Sequence, residues 1–126
     1  MAMYHVWFST KGRKPALVDE IGALTTASLL TIAQRIGVEV LDMAAGEDHV
    51  HLLLALNDHQ NLSTVMHDLK GASARDVFRS YPELRLDMAS NSFWQKGYGW
   101  RLVPQDEIEG VRRYIRTQSE RPLRHV

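Results

Sequence analysis

The stretch from Val38 to Leu56 constrains the fold of this chain more than any other. Val38 to Ala44 has strand character, Gly46-Glu47-Asp48 makes a tight connection, and His49 to Leu56 is the next strand. Side chains alternate across a strand, so residues two apart share a face at a spacing of about 7 Å. His49 and His51 therefore lie on one face, and Val50, Leu52 and Leu54 on the other. A strand this apolar belongs in the middle of a sheet, with helices over one face and the histidines on the opposite one.

The flanking segments complete a recognisable order. Met3 to Thr10 alternates as a strand, with Tyr4, Val6 and Phe8 on one face and His5, Trp7 and Ser9 on the other. The turn-prone Lys11-Gly12-Arg13-Lys14-Pro15 closes it. Asp19 to Ile36 predicts a helix, with Leu29, Ile32, Ala33 and Ile36 on one side and Gly37 to end it. After the polar loop Asn57 to Gln60, Asn61 or Ser63 can cap a helix that runs to about Tyr81. Its apolar positions Leu62, Val65, Met66, Leu69, Ala72 and Val77 follow helical spacing, and Pro82 stops it. A looser segment to Ser92 precedes Phe93 to Val103, a predicted fourth strand bulged near Gly97 or Gly99. Pro104 breaks this strand, and Asp106 to about Glu120 predicts a last helix. Strand, helix, strand, strand, helix, strand is the order of an α+β, ferredoxin-like (RRM-like) antiparallel sheet with both crossover helices on one face. The other face is left for chemistry, or for the last helix.

Composition narrows the function classes. A length of 126 residues predicts a single domain spanning residues 1–126. No apolar run nears the roughly 20 residues of a membrane span, and the longest, Val50 to Leu56, contains His51. Met1-Ala2-Met3-Tyr4-His5 lacks the pattern of an export signal. The absence of cysteine excludes disulfides, thiolate metal sites and a thiol nucleophile. A cytoplasmic protein is the expectation. Fifteen basic residues balance fifteen acidic ones, so any attraction to phosphates must be local. Lys11, Arg13 and Lys14 form one basic cluster. Lys96, Arg101, Arg112, Arg113, Arg116, Arg121 and Arg124 outnumber Asp106, Glu107, Glu109 and Glu120 in the last part of the chain. Lys70, Arg75 and Arg79 lie on the second helix, where a solvated face explains them equally well.

Two groups of residues carry candidate chemistry. Two imidazoles on one strand face can hold one metal ion in a fixed orientation, although half-buried polar residues on a sheet face have the same pattern. The other histidines, at positions 5, 59, 67 and 125, have no such neighbour in the sequence and read as surface or packing residues. On the last helix, Ile108, Val111 and Ile115 form the apolar stripe, while Tyr114 and Gln118 are four apart and share a face. A tyrosine hydroxyl can attack phosphorus once its phenolate is stabilised, and a glutamine carbonyl can complete the shell of an oxygen-preferring ion. By spacing alone, Tyr114 is as well explained by packing.

Five segments together resemble the HUH single-tyrosine transposases, the small transposases of simple bacterial insertion sequences and their REP-associated relatives. They are Tyr4-His5-Val6-Trp7-Phe8-Ser9-Thr10-Lys11, Asp48-His49-Val50-His51-Leu52-Leu53, Leu69-Lys70-Gly71-Ala72-Ser73-Ala74-Arg75, Trp94-Gln95-Lys96-Gly97-Tyr98-Gly99 and Arg112-Arg113-Tyr114-Ile115-Arg116-Thr117-Gln118. The resemblance implies metal ligands at His49 and His51, a supplementary ligand at Gln118, and a nucleophile at Tyr114, with Tyr98 as its rival. It implies Mg2+ or Mn2+ as the cofactor, single-stranded DNA with hairpin structure as the substrate, and a 5′-phosphotyrosine intermediate. Lys11, Arg13, Lys14, Lys70, Arg75, Arg112, Arg113 and Arg116 are the DNA-contact candidates. Many members are dimers and the REP-associated relatives are usually monomers; the short chain favours a homodimer here. The competing reading is a non-catalytic binder of single-stranded nucleic acid that stacks bases on Trp7 and Trp94.

Overall fold

The structure is a computed structural model that describes residues 1–118. Strand β1 covers Ala2–Ser9 and is followed by a single 3-10 turn at Lys11–Arg13 and by helix α1 at Asp19–Arg35. Strands β2 (Glu39–Ala45) and β3 (His49–Leu56) form the hairpin. Helix α2 (Leu62–Ser80), the one-turn helix α3 (Leu84–Asp87), strand β4 (Gly99–Leu102), a 3-10 turn at Gln105–Glu107 and helix α4 (Ile108–Gln118) complete the order. The last turn of the helix expected to reach Glu120, together with Arg121, Arg124 and His125, lies outside the described residues.

The strands pair antiparallel in the order β2-β3-β1-β4, which is the ferredoxin-like arrangement. Of the two possible caps for α2, Asn61 is the one used: its side chain accepts from the Thr64 N–H at 3.1 Å. Both crossover helices cover one face. Val6, Phe8, Val50, Leu52, Leu54 and Leu56 from the sheet meet Leu29, Ile32, Val65, Met66 and Leu69 from α1 and α2, all buried. Each such side chain contributes about 1.5–3 kcal/mol of hydrophobic stabilisation. Helix α4 crosses the opposite face, where Val111 and Ile115 pack with Leu53, Ala44 and Val103. Leu53 is thus apolar for a different reason from Leu52 and Leu54: it holds α4.

Two boundaries differ from the sequence reading. The expected fourth strand from Phe93 to Val103 is interrupted. Its first part meets the end of β1 only at a bridge between Thr10 and Trp94, and regular pairing resumes at Gly99 opposite Trp7. Between them the chain bulges, with Gly97 at φ 85°, and the Lys70 ammonium donates to the carbonyls of Gln95 and Gly97. The looser segment before Ser92 contains the short α3, whose Leu84 is buried.

A second bulge has more bearing on the site. In β2 the pairing passes from Val40 opposite Leu54 to Asp42 opposite Leu53. Plain alternation would put Val40 and Asp42 on one face. The extra residue re-aims Asp42 to the α4 side.

Candidate active site

The pairing of β1 with β3 sets Trp7 opposite His51 and His5 opposite Leu53. His5, Trp7 and His51 therefore share the face that α4 crosses. Helix α4 covers only part of it, leaving an open cleft of about 710 Å³ lined by these three residues, by Arg101, and by Gly110, Val111 and Tyr114 of α4. The Tyr114 ring stands edge-on to both histidines, its centroid 5.9 Å from that of His5 and 5.9 Å from that of His51. Half of Tyr114 is exposed, so its hydroxyl-bearing ring serves the cleft while Val111 and Ile115 on the same helix serve the packing.

His49 and His51 are neighbours at 5.0 Å between ring centres, and both rings are held at Nδ1. Asp48 Oδ1 lies 3.2 Å from His49 Nδ1, and Asp48 is buried with Arg13 Nε at 3.5 Å from its other oxygen. His51 Nδ1 lies 3.0 Å from His5 Nε2. Burial, and then the neighbouring His49 and His5, push the His51 pKa from 6.5 down to about 4. Burial first, and then the Arg101 guanidinium, lower that of His5. His51 is therefore a neutral imidazole near pH 7, the form that binds metals.

His5 is the residue that sequence reasoning missed. It is buried at 7% exposure and bonded to His51, not a surface or packing histidine without a partner. Its strand phase, shared with Trp7, was the available signal, but it pointed to the site only once β1 was known to lie beside β3. His59 and His67 are exposed as expected.

The other candidates divide by position. Gln118 ends α4 and its amide Nε2 lies 3.5 Å from the Tyr114 carbonyl; it is not among the residues lining the cleft. Among the described residues no group of three or more His, Cys, Asp or Glu side chains is poised for a metal. The histidine pair, two neutral-capable nitrogen donors on one strand face, fits an ion that keeps open positions for phosphate oxygens. Tyr98 packs against the core beneath the crossover helices, on the far side of the sheet from the histidines. Arg112 and Arg116 both reach Asp42 Oδ2, at 3.2 and 3.0 Å, and so tie α4 to β2. Arg113 is exposed on the same helix. Lys11, Arg13 and Lys14 surround the turn after β1, which Thr10 holds through its hydroxyl bond to the Lys14 carbonyl. Lys70 and Arg75 lie on α2, across the sheet from Tyr114, and Lys70 caps the bulge. Trp94 is buried between Phe8 and Phe93 and donates to Ser73 Oγ at 2.9 Å. It is closed to base stacking; Trp7, at 38% exposure, is open.

The sequence profile of IS200-like transposases matches residues 1–118. The chain belongs to that family. It is thereby a DNA transposase, an enzyme class that nicks and transfers DNA strands. The ISDra2 transposase TnpA of Deinococcus radiodurans is 33% identical over 118 residues, covering 94% of this chain and 84% of that protein. The IS200 transposase of Salmonella typhimurium is 26% identical, over 93% of this chain and 76% of its own. Among solved structures, a Deinococcus radiodurans protein assigned as a transposase superposes with a TM-score of 0.77 at 30% identity, over 94% of this chain and 92% of that one. A REP-associated tyrosine transposase, solved bound to a REP hairpin, superposes at 0.70 over 93% of this chain and 66% of that one. At 10% identity, that likeness speaks for the fold. No helix of the transposase, among the described residues, is long and apolar enough to cross a membrane.

Proposed function

We propose that this transposase cleaves and rejoins single-stranded DNA through a bond between Tyr114 and a 5′-phosphate, with Mg2+ or Mn2+ held by His49, His51 and Gln118. The observation that carries this reading is the convergence of Tyr114 with neutral His51 in one cleft, while Tyr98 packs on the other side of the sheet. When bound, the ion polarises the scissile phosphate and offsets the charge that builds on it. Tyr114 Oη loses its proton and bonds to phosphorus, and the bond from phosphorus to the 3′ oxygen breaks. That oxygen leaves as a hydroxyl. Because one phosphodiester replaces another, the hydroxyl of a new strand can reverse the step without an external energy source. His49 and His51 are turned by their Nδ1 partners, so the strand presents them in fixed orientation. Gln118 donates through Nε2 to the Tyr114 carbonyl at 3.5 Å, and its Oε1 is the atom that would serve as ligand.

The DNA partner follows the same reading. A hairpin is the ligand recorded for the REP-associated relative, and we extend it to this chain. Lys11 and Lys14 of the basic turn and the exposed Arg113 and Arg75 offer phosphate contacts, whereas Arg13 would have to be shared with Asp48, and Arg112 and Arg116 with Asp42. A homodimer fits the exposed edge strand β4, where Trp100 and Leu102 are both more than half exposed. Light scattering on the purified protein distinguishes dimer from monomer. The non-catalytic alternative is weakened because Trp94, half of its stacking platform, is buried.

Purified protein with Mg2+ or Mn2+ should form a covalent adduct with hairpin-bearing single-stranded DNA. Tyr114→Phe should abolish the adduct, and chelation or His49→Ala should do the same. DNA binding that ignores metal and yields no adduct would instead support the non-catalytic binder.

A further inference from the structure

Resting on the metal site just proposed, the structure assigns His5 a positioning role: it accepts a hydrogen bond from His51 Nδ1 and so commits His51 to ligate through Nε2. His51 has two ring nitrogens, and either could face an ion. Its Nδ1 is 3.0 Å from His5 Nε2, with the two rings stacked at 27° and 5.2 Å between centres. Both residues are buried, at 7% and 9% exposure, so the bond has little competition from water. Its direction follows from chemistry. A neutral imidazole carries one N–H, and a metal-bound nitrogen cannot carry it. With Nε2 reserved for the ion, the proton sits on Nδ1 and His5 Nε2 must accept, which puts the proton of neutral His5 on its own Nδ1.

The parallel at His49 strengthens the assignment. There the Nδ1 position is engaged by Asp48 Oδ1 at 3.2 Å, an acceptor by charge. A metal-ligating histidine ordinarily donates its second N–H to a fixed acceptor. In this transposase one acceptor is a carboxylate one residue away and the other is a histidine on the adjacent strand. Two carboxylates so close together would repel each other, whereas His5 accepts without adding a negative charge. The sheet sets its place: His5 is diagonal to His51 across β1 and β3, because Trp7 is the residue directly opposite.

The test uses the full chain and Mn2+ alone, titrated by electron paramagnetic resonance, with thermal unfolding in chelator as the check on folding. His5→Phe keeps the ring but removes the acceptor, and should weaken Mn2+ binding about 10- to 100-fold. His5→Gln places an amide oxygen near the position of Nε2 and should recover most of that loss. Spin-echo spectroscopy of bound Mn2+ should count two coordinated imidazoles in the wild type and in His5→Gln. Unchanged Mn2+ affinity in folded His5→Phe, or no recovery in His5→Gln, would overturn the assignment. Three imidazoles on the wild-type ion would also overturn it, making His5 a ligand, and this arm holds even if His5→Phe fails to fold. His49→Ala separates the underlying reading: if it leaves Mn2+ binding intact, the metal site is misplaced; if it abolishes binding while His5→Phe does not weaken it, only the role of His5 fails.

Discussion

The two faces of the sheet are built from the same strands by opposite rules. Under α1 and α2, Val6, Phe8, Val50, Leu52 and Leu54 fill a continuous apolar layer. Beneath α4 the alternate residues of the same strands are mixed: Leu53 packs, while His5, Trp7 and His51 line a cleft. One face is closed by two long helices along its length. The other is closed by eleven residues of α4 over only part of its area. Partial cover is what leaves polar residues buried enough to be held rigidly yet open to a ligand. Stability is concentrated on the first face and chemistry on the second.

Substitutions on each face can break this division. Leu54→Ala opens a cavity under both helices and should cost about 2–5 kcal/mol, seen as a lower denaturant midpoint; any activity lost should return once the protein is folded. Tyr114→Phe should be its mirror image, leaving the midpoint nearly unchanged while all adduct disappears. Similar stability losses for both would end the distinction.

Smaller effects test how the cleft is assembled. A side chain at Gly99 would collide with the Trp7 ring, since an added Cβ falls 2.0 Å from it. Gly99→Ala should therefore push Trp7 into the cleft, costing about 1–3 kcal/mol and lowering nicking more than Leu54→Ala does at equal folded fraction. Asp42→Asn removes the charge that both Arg112 and Arg116 reach, and the pairs are only partly buried. A loss of about 1–2 kcal/mol is expected, with α4 exchanging its amide hydrogens faster while α2 does not.

The buried histidine adds a dependence on pH. Unfolded His51 takes up a proton as pH falls through 6.5, but the folded state resists until about 4. More protons are bound by the unfolded chain across that window, so stability rises with pH there and is lost on acidification; above 6.5 this contribution is flat. Thermal midpoints measured in chelator from pH 7.5 to 4 should fall more steeply for the wild type than for His51→Gln. Parallel curves would contradict the buried, neutral His51.

Much of this was legible in the sequence for a physical reason. Period-two alternation around His49 and His51, and helical spacing from Leu62 to Val77, report burial directly, so the element order and the two faces follow. What stayed hidden depends on irregularity or on neighbours far along the chain. The bulge at Leu41 reverses the face of Asp42, and no local signal marks it. His5 acquires a partner 46 residues away only through the β1–β3 pairing. Trp94 lies opposite Thr10, in the phase of Val6 and Phe8, so its place in the core comes from pairing with β1 and not from any signal in its own segment. Tyr114 shares its helix with an apolar stripe, and spacing could not separate nucleophile from packing.

The central claim is that Tyr114 is the residue that becomes bonded to DNA. Its neighbours Arg113 and Arg116 place it on the tryptic peptide Tyr114-Ile115-Arg116, which can be isolated after reaction with hairpin-bearing single-stranded DNA and Mn2+ and nuclease trimming. Mass spectrometry should find the nucleotide 5′-phosphate on that peptide. A nucleotide on the peptide carrying Tyr98, or on any other residue, would contradict the account.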